Sequence, residues 1–407
     1  MNKKNLIVGQ SGGPTAVINS SLYGVVSESL AHPDRIEHVY GMINGIEGFL
    51  NDTFLDFSDT LSSSELELLK TTPGAYLGSC RYKLPEDLED PVYPKLFAKF
   101  DQLNIGYVMY IGGNDSMDTV SKLSRYAQKT NSSILVLGEP KTIDNDLILT
   151  DHTPGFGSAA RYVASTVREI VTDASVYEQK AVTIVEIMGR DAGWLTASSV
   201  LARKKAGDNP YLVYLPESDF STEQFIQDVE KSFSKSSSVV VCVSEGIHDA
   251  DGKLICEYDR SAGLDSFGHK MLSGCGKYLE NLLRIRLGIK ARSVELNVCQ
   301  RCSATLQSQT DQQEAVTAGR FGVNAILSGE TGKMISFVRE NNVPYQLNCG
   351  LEDVNLICNQ TKSVPASWIT PDGTDLTEEF LSYVLPLIQG TVEVPMGEDG
   401  LPLFVYR

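Results

Sequence analysis

An α/β protein with two doubly wound parallel-sheet lobes, a cleft between them and a C-terminal extension is the fold this chain predicts. Three observations carry that expectation. Short, largely apolar runs recur at Asn5–Gln10, Tyr107–Ile111, Ile134–Leu137, Val182–Ile187, Tyr211–Leu215 and Val239–Val243, each of strand length. Helical, amphipathic stretches separate them, which marks parallel strands covered on both faces. Polar, sharply turning segments follow several of the runs, at the strand ends where open α/β sheets place ligands.

In chain order, Asn5–Gln10 enters the turn Ser11-Gly12-Gly13-Pro14-Thr15, and a helix with Val17, Ile18, Leu22, Val25 and Val26 follows. Tyr107–Ile111 repeats the plan, through Gly112-Gly113-Asn114-Asp115-Ser116 into a helix carrying Val120, Leu123, Tyr126 and Ala127. Ile134–Leu137 leads to Lys141-Thr142-Ile143-Asp144-Asn145-Asp146. Gly155-Phe156-Gly157-Ser158 opens a helix with Ala159, Tyr162, Val163, Thr166, Val167, Ile170 and Val171 at helical spacing. The remaining strands form a second set. From about Glu330 the pattern is less regular, with turns over Thr370–Asp375 and a helix over Leu376–Ile388. The expected division is residues 1–150, residues 151–330 and an extension over residues 331–407, with the chain crossing between lobes.

A length of 407 residues suits two or three domains. The net charge of −17 argues against nucleic acid as a partner, because such binding needs basic patches. The N-terminal apolar run is too short for a signal-peptide core, and no run approaches the ~18 residues of a membrane span, so a cytoplasmic protein is expected. The eight cysteines read as reduced packing thiols. Cys299-x-x-Cys302 lacks the second pair or nearby histidines that zinc wants.

The turns carry the chemistry. Gly12-Gly13 between strand and helix lets backbone amides approach a phosphate, although a bare tight turn accounts for the same residues. Asp144 and Asp146 lie two apart in a loop at a strand end, where one serves as general base and the other as a magnesium ligand, unless the segment is simply an Asx-rich turn. Arg190 behind Gly189 suits a phosphate oxygen, as do Arg292 and Arg301, and Glu245 suits a sugar hydroxyl. Asp115 and Lys141 add one carboxylate and one ammonium to glycine-flanked loops, a pair able to select a phosphoryl donor.

These motifs, in this order, resemble the phosphofructokinase family over roughly the first 330 residues: Gly12-Gly13, Gly112-Gly113-x-x-Ser116, Pro140-x-Thr142-Ile143-Asp144-Asn145-Asp146, Met188-Gly189-Arg190 and Gln300-Arg301. The resemblance implies two Rossmann-like lobes and magnesium-dependent phosphorylation of the 1-hydroxyl of fructose 6-phosphate, a step of glycolysis. It implies Asp144 as base, Asp146 with Asn114 at the metal, and Thr142, Asp144, Met188, Gly189, Arg190 and Glu245 on the sugar. Arg301 and Arg292 then hold the 6-phosphate, Arg292 from a neighbouring subunit of a homodimer or homotetramer. Gly12, Gly13, Arg81, Asp115, Ser116 and Lys141 hold the donor. ATP-using members have glycine at the positions of Asp115 and Lys141, whereas members using pyrophosphate have this aspartate and lysine, which points to pyrophosphate as donor and a reversible reaction. Three positions depart from the family: Asn114 replaces an aspartate, Val298 a polar residue and Ala181 an arginine, beside which Lys180 is a substitute. The rival readings are an ATP-dependent kinase of fructose 6-phosphate or another acceptor such as sedoheptulose 7-phosphate, and a non-catalytic regulatory subunit.

Overall fold

The computed structural model describes residues 3–176, 178–258, 274–358 and 360–407. Among these, the strands form two sheets. The larger contains β1 (Lys4–Gln10), β2 (Ile36–Met42), β3 (Phe54–Asp56), β4 (Ile105–Gly112), β5 (Leu135–Pro140), β10 (Lys333–Asn342) and β11 (Tyr345–Asp353), in the order β11-β10-β5-β4-β1-β2-β3. The smaller contains β6 (Ala181–Ile187), β7 (Leu212–Tyr214), β8 (Ser238–Ser244) and β9 (Lys290–Glu295), in the order β7-β8-β6-β9, and all of its pairs are parallel. The expected α/β class with parallel sheets is what the chain adopts, and the larger sheet adds antiparallel edges at β3 and β11.

Central strands are buried on both faces, which is why their sequences read as apolar runs: Leu6, Ile7 and Val8 in β1 and Val239–Val243 in β8 are fully enclosed. The helices Ile18–Leu30 and Gln309–Leu327 cover one face of the larger sheet and cross at close range. A methyl group at Gly24 would stand 2.3 Å from the Val316 carbonyl oxygen, and one at Gly319 would stand 2.5 Å from that of Ser21. Glycine is needed at both positions for this approach.

Several elements differ from the sequence reading. The segment after residue 330 is not irregular throughout. It supplies β10, which pairs parallel to β5 through Lys333↔Leu137 and Met334↔Gly138, and β11, antiparallel to β10. Only Met334–Phe337 of β10 is buried without interruption, so the outer half reads as polar loop. The helix expected over Leu376–Ile388 is α-helical only over Glu378–Val384 and tightens to a 3₁₀ turn over Leu385–Ile388, where Pro386 has no N–H to donate. Strand β9 carries exposed Lys290, Arg292 and Glu295 at a sheet edge, a charged pattern that discourages further pairing and conceals a strand in the sequence.

All eight cysteines are free; Cys80, Cys242, Cys256 and Cys275 are buried as packing thiols, whereas Cys299 and Cys302 are exposed. Packing therefore does not account for that pair. They belong to the 3₁₀ turn Asn297–Arg301 and the residue after it, where Gln300 is the side chain turned inward. Among the described residues, no helix is long and apolar enough to cross a membrane.

Candidate active site

Strand order sets where ligands go. In the larger sheet β1 has β2 on one side and β4 on the other, so the turns after β1, β4 and β5 leave the same sheet edge next to one another. In the smaller sheet β6 lies between β8 and β9, and the segments after these three carry Met188–Arg190, Glu245 and Arg301.

The turn after β1 is the floor. Gly12 has φ +77°, in the left-handed region that favours glycine. A methyl group there would lie 3.3 Å from Lys141 Nζ, and one at Gly13 would lie 3.2 Å from Arg301 Nη1. Two cations thus converge on one glycine turn, one from each sheet. Ser79 Oγ donates to the Gly12 carbonyl at 2.6 Å, and Ser11 Oγ donates to the Cys80 carbonyl at 3.3 Å, so the loop that carries Arg81 is laid against the turn. Gly112 could not be alanine, because its methyl would meet Ser116 Oγ at 1.9 Å; Ser116 is buried there, at the start of the helix Asn114–Lys129.

Lys141 is 2% exposed. Its N–H donates to the Gly112 carbonyl at 3.0 Å and its Nζ to the Gly13 carbonyl at 2.6 Å. Burial pushes its ammonium down to about 8; Asp144 and Asp146 pull it up, and Arg301 pushes it further down. Asp144 moves the other way. Burial, then Asp146 and Glu245, push its carboxyl up to about 7, against the Thr142 hydroxyl at 3.4 Å and Lys141. Asp146 is also raised by burial, with Asp191 adding to the rise. The loop itself is braced by Thr142 Oγ1, which accepts from Asp144 N–H at 3.1 Å, and by Thr153 Oγ1, which donates to the Thr142 carbonyl at 2.8 Å.

Asn114 Nδ2 donates to Asp146 Oδ2 at 3.3 Å, which leaves Asn114 Oδ1 buried with no partner. An orphaned amide oxygen beside a carboxylate fits a hard divalent cation that keeps several waters and takes its other ligands from phosphate. A closed protein cage is not needed for such an ion, and among the described residues no group of three or more His, Cys, Asp or Glu forms one.

From the smaller sheet, Glu245 Oε1 accepts from Gly189 N–H at 3.3 Å, and burial raises its carboxyl while Arg190 lowers it. Gly189 has φ +136°, and a methyl group at Gly246 would stand 1.9 Å from the Arg190 carbonyl oxygen, so the two loops touch backbone to backbone. Met188 and Glu245 line a cavity of about 50 Å³ with Glu186, Ile187, Glu295 and Asn297. Arg190 and Asp191 are exposed.

Not every expected residue joins this cluster. Asp115 lies in the first turn of its helix, where a carboxylate suits the helix dipole; it is 76% exposed and pairs with Lys83 at 3.1 Å rather than with Lys141. Arg292 lines a different concavity of about 320 Å³, with Ala181, Lys290 and the flank of the helix Phe156–Ala174. Val298 is 48% exposed, and Lys180 stacks its ammonium over the Phe233 ring, 5.1 Å from the centroid. Lys83, Ser79 and Asp191 were not singled out in the sequence; Ser79 had a signal, since it lies two residues before Arg81 in a glycine-led loop.

A glycine turn flanked by a buried ammonium and a half-buried guanidinium, with a carboxylate poised near neutrality in the next loop, is what phosphoryl transfer requires: charge neutralisation plus a base. The sequence pattern of the family described as Phosphofructokinase matches residues 5–327, and the chain belongs to that family. It is 38% identical over 406 residues to the pyrophosphate–fructose 6-phosphate 1-phosphotransferase of Halomonas elongata, covering 99% of this chain and 96% of that one. It is 36% identical over 409 residues to the enzyme of the same name from Methylococcus capsulatus, covering 100% and 96%. The crystal structure of the pyrophosphate-dependent phosphofructokinase of Marinobacter aquaeolei superposes with a TM-score of 0.89 at 35% identity, covering 98% of this chain and 95% of that one. The residues beyond 327, outside the family pattern, are thus shared with these full-length relatives.

Proposed function

We propose that this protein moves a phosphoryl group from pyrophosphate to the 1-hydroxyl of fructose 6-phosphate, giving fructose 1,6-bisphosphate and phosphate, in either direction. The observation that carries this reading is the buried Lys141 ammonium against the Gly12-Gly13 turn, in the same loop as Asp144. The near full-length likeness to relatives of that name supports it.

Asp144 takes the proton of the 1-hydroxyl. The hydroxyl oxygen forms its bond to the distal phosphorus as the bond from that phosphorus to the bridging oxygen breaks, and phosphate leaves. Lys141, Arg81 and the Gly12 and Gly13 amides stabilise the charge that gathers on the donor. Asn114 and Asp146 would hold Mg²⁺, which would neutralise charge on the phosphate oxygens. Thr142, Met188, Gly189, Arg190 and Glu245 orient the sugar, and Arg301 binds its 6-phosphate together with Arg292 reaching from a neighbouring subunit of a homodimer or homotetramer. That Arg292 lines a concavity apart from Glu245 supports an assignment to a neighbour's site. Asp115, open to solvent at the first turn of its helix, is the carboxylate assigned to repel an ATP α-phosphate. The donor side belongs to the lobe built around residues 1–150, and we assign the protein to the cytoplasm, where its substrates lie.

One assay decides the donor: purified protein with Mg²⁺, fructose 6-phosphate and either pyrophosphate or ATP. Turnover with pyrophosphate and not with ATP is expected. Robust turnover with ATP and none with pyrophosphate would refute the proposal.

A further inference from the structure

The acidic loop is held from outside the family core. Asn145, between the two carboxylates, is fully buried with φ +54°, and its Nδ2 donates to the Tyr383 hydroxyl at 2.8 Å across 238 positions of sequence. The same hydroxyl donates its one proton to the Asp151 carbonyl at 2.7 Å. A carbonyl only accepts, so the hydroxyl has only a lone pair left for Asn145. That fixes which way the Asn145 amide faces, and it leaves Oδ1 buried without a partner.

The next residue is held by the same segment. Lys362 N–H donates to the Asp146 carbonyl at 2.7 Å, and the Lys362 carbonyl accepts from Trp194 Nε1 at 2.8 Å. Lys362 Nζ donates to the carbonyls of Thr150 (3.1 Å) and Asp151. Arg339 in turn donates to the Tyr383 carbonyl at 2.8 Å and lies over its ring, 4.6 Å from the centroid. One segment therefore grips the acidic loop of the larger sheet and Trp194, four residues after Arg190, from the smaller.

We propose that Tyr383, with Lys362 beside it, is a positioning residue that sets the aim of Asp144 and Asp146 by locking Asn145. This rests on reading Asp144 as the base. The two carboxylates flank one residue in the left-handed region, so rotation at Asn145 re-aims both, and misplacing a base by about 1 Å costs up to ~100-fold in rate. Tyr383→Phe keeps the packed ring and removes the bond.

The test uses the full chain and compares wild type, Tyr383→Phe, Asn145→Gly (which tolerates the positive φ) and the double variant. Two readouts are taken: steady-state kinetics with magnesium pyrophosphate and fructose 6-phosphate, and hydrogen exchange of amides 143–147 in the free protein. We expect kcat to fall about ten-fold or more in each single variant, KM values to stay within about two-fold, and the double variant to be no worse than the worse single. Amides of the loop should exchange faster in Tyr383→Phe while the rest of the protein is unmoved. Unchanged kcat with unchanged loop protection in Tyr383→Phe overturns the proposal, as do losses that add in the double variant. If Asn145→Gly does not fold, Tyr383→Phe alone decides between these outcomes. Wild-type protein inactive with pyrophosphate would refute the functional reading instead, and loop exchange would still decide the positioning role.

Discussion

Lys141 and Asp115 stand in neighbouring turns of one sheet edge and live in opposite surroundings. Lys141 is enclosed, fastened to the Gly13 carbonyl and driven toward neutrality by its burial. Asp115 is open to water and pairs with another exposed side chain, Lys83. The difference teaches that the two charges cannot do equal work. A buried cation near the phosphates acts through a low dielectric and a fixed position, whereas an exposed carboxylate is screened and can only bias what approaches. On the proposed reading, donor chemistry falls to the interior charge and donor exclusion to the rim charge.

The sharpest way to break that division is in the interior. Asp144→Asn should lower kcat by about 10³-fold with little change in the KM for pyrophosphate, read by steady-state kinetics; a loss below ten-fold would remove Asp144 from the role of base. Lys141→Met, similar in length but uncharged, should cost about 10²-fold in kcat with pyrophosphate. Equal activity in that variant would mean the ammonium serves only to hold the Gly13 turn.

Next comes pH. Asp144 must be ionised to accept a proton, and its carboxyl sits at about 7, so kcat/KM should rise as pH climbs through that value. Lys141 must keep its proton, and it sits at about 8, so activity should fall above that pH. A narrow bell results. Lys141→Met should abolish the alkaline limb and spare the acid limb, and loss of both together would show that the limbs do not separate as assigned.

The rim gives the smallest effects. Lys83→Ala should leave the melting temperature within error, since exposed ion pairs contribute little, and should alter only the salt dependence of the pyrophosphate KM. A fall in kcat comparable to that of Lys141→Met would erase the contrast between rim and interior.

The turns that make the site were legible because their chemistry is local. Gly12 requires a left-handed backbone, Gly112 has Ser116 against it, and Asp144 and Asp146 sit in one loop, so short motifs announce them. The central strands were legible for the same reason, being enclosed on both faces. What was hidden is whatever depends on distant partners. β9 alternates charge at an edge, β10 and β11 are half polar, and nothing near Tyr383 in sequence tells that its hydroxyl receives Asn145. Asp115 shows the opposite limit: its identity was legible, but its exposure and its pairing with Lys83 depended on how the loop over residues 78–83 lies across the sheet edge.

The strand order of the larger sheet has a consequence for how the molecule is made. When a ribosome has released the first 300 residues, every strand of the smaller sheet has emerged, but the larger sheet has only β1 to β5. Its edge at β5 then stays bare, and the helix that pairs with Ile18–Leu30 is still unmade. Because the acidic loop leaves that same β5, the half of the site bearing Asp144 is the last to be secured during synthesis, and a nascent chain passes through a stage at which one sheet has all its strands and the other still offers an open edge.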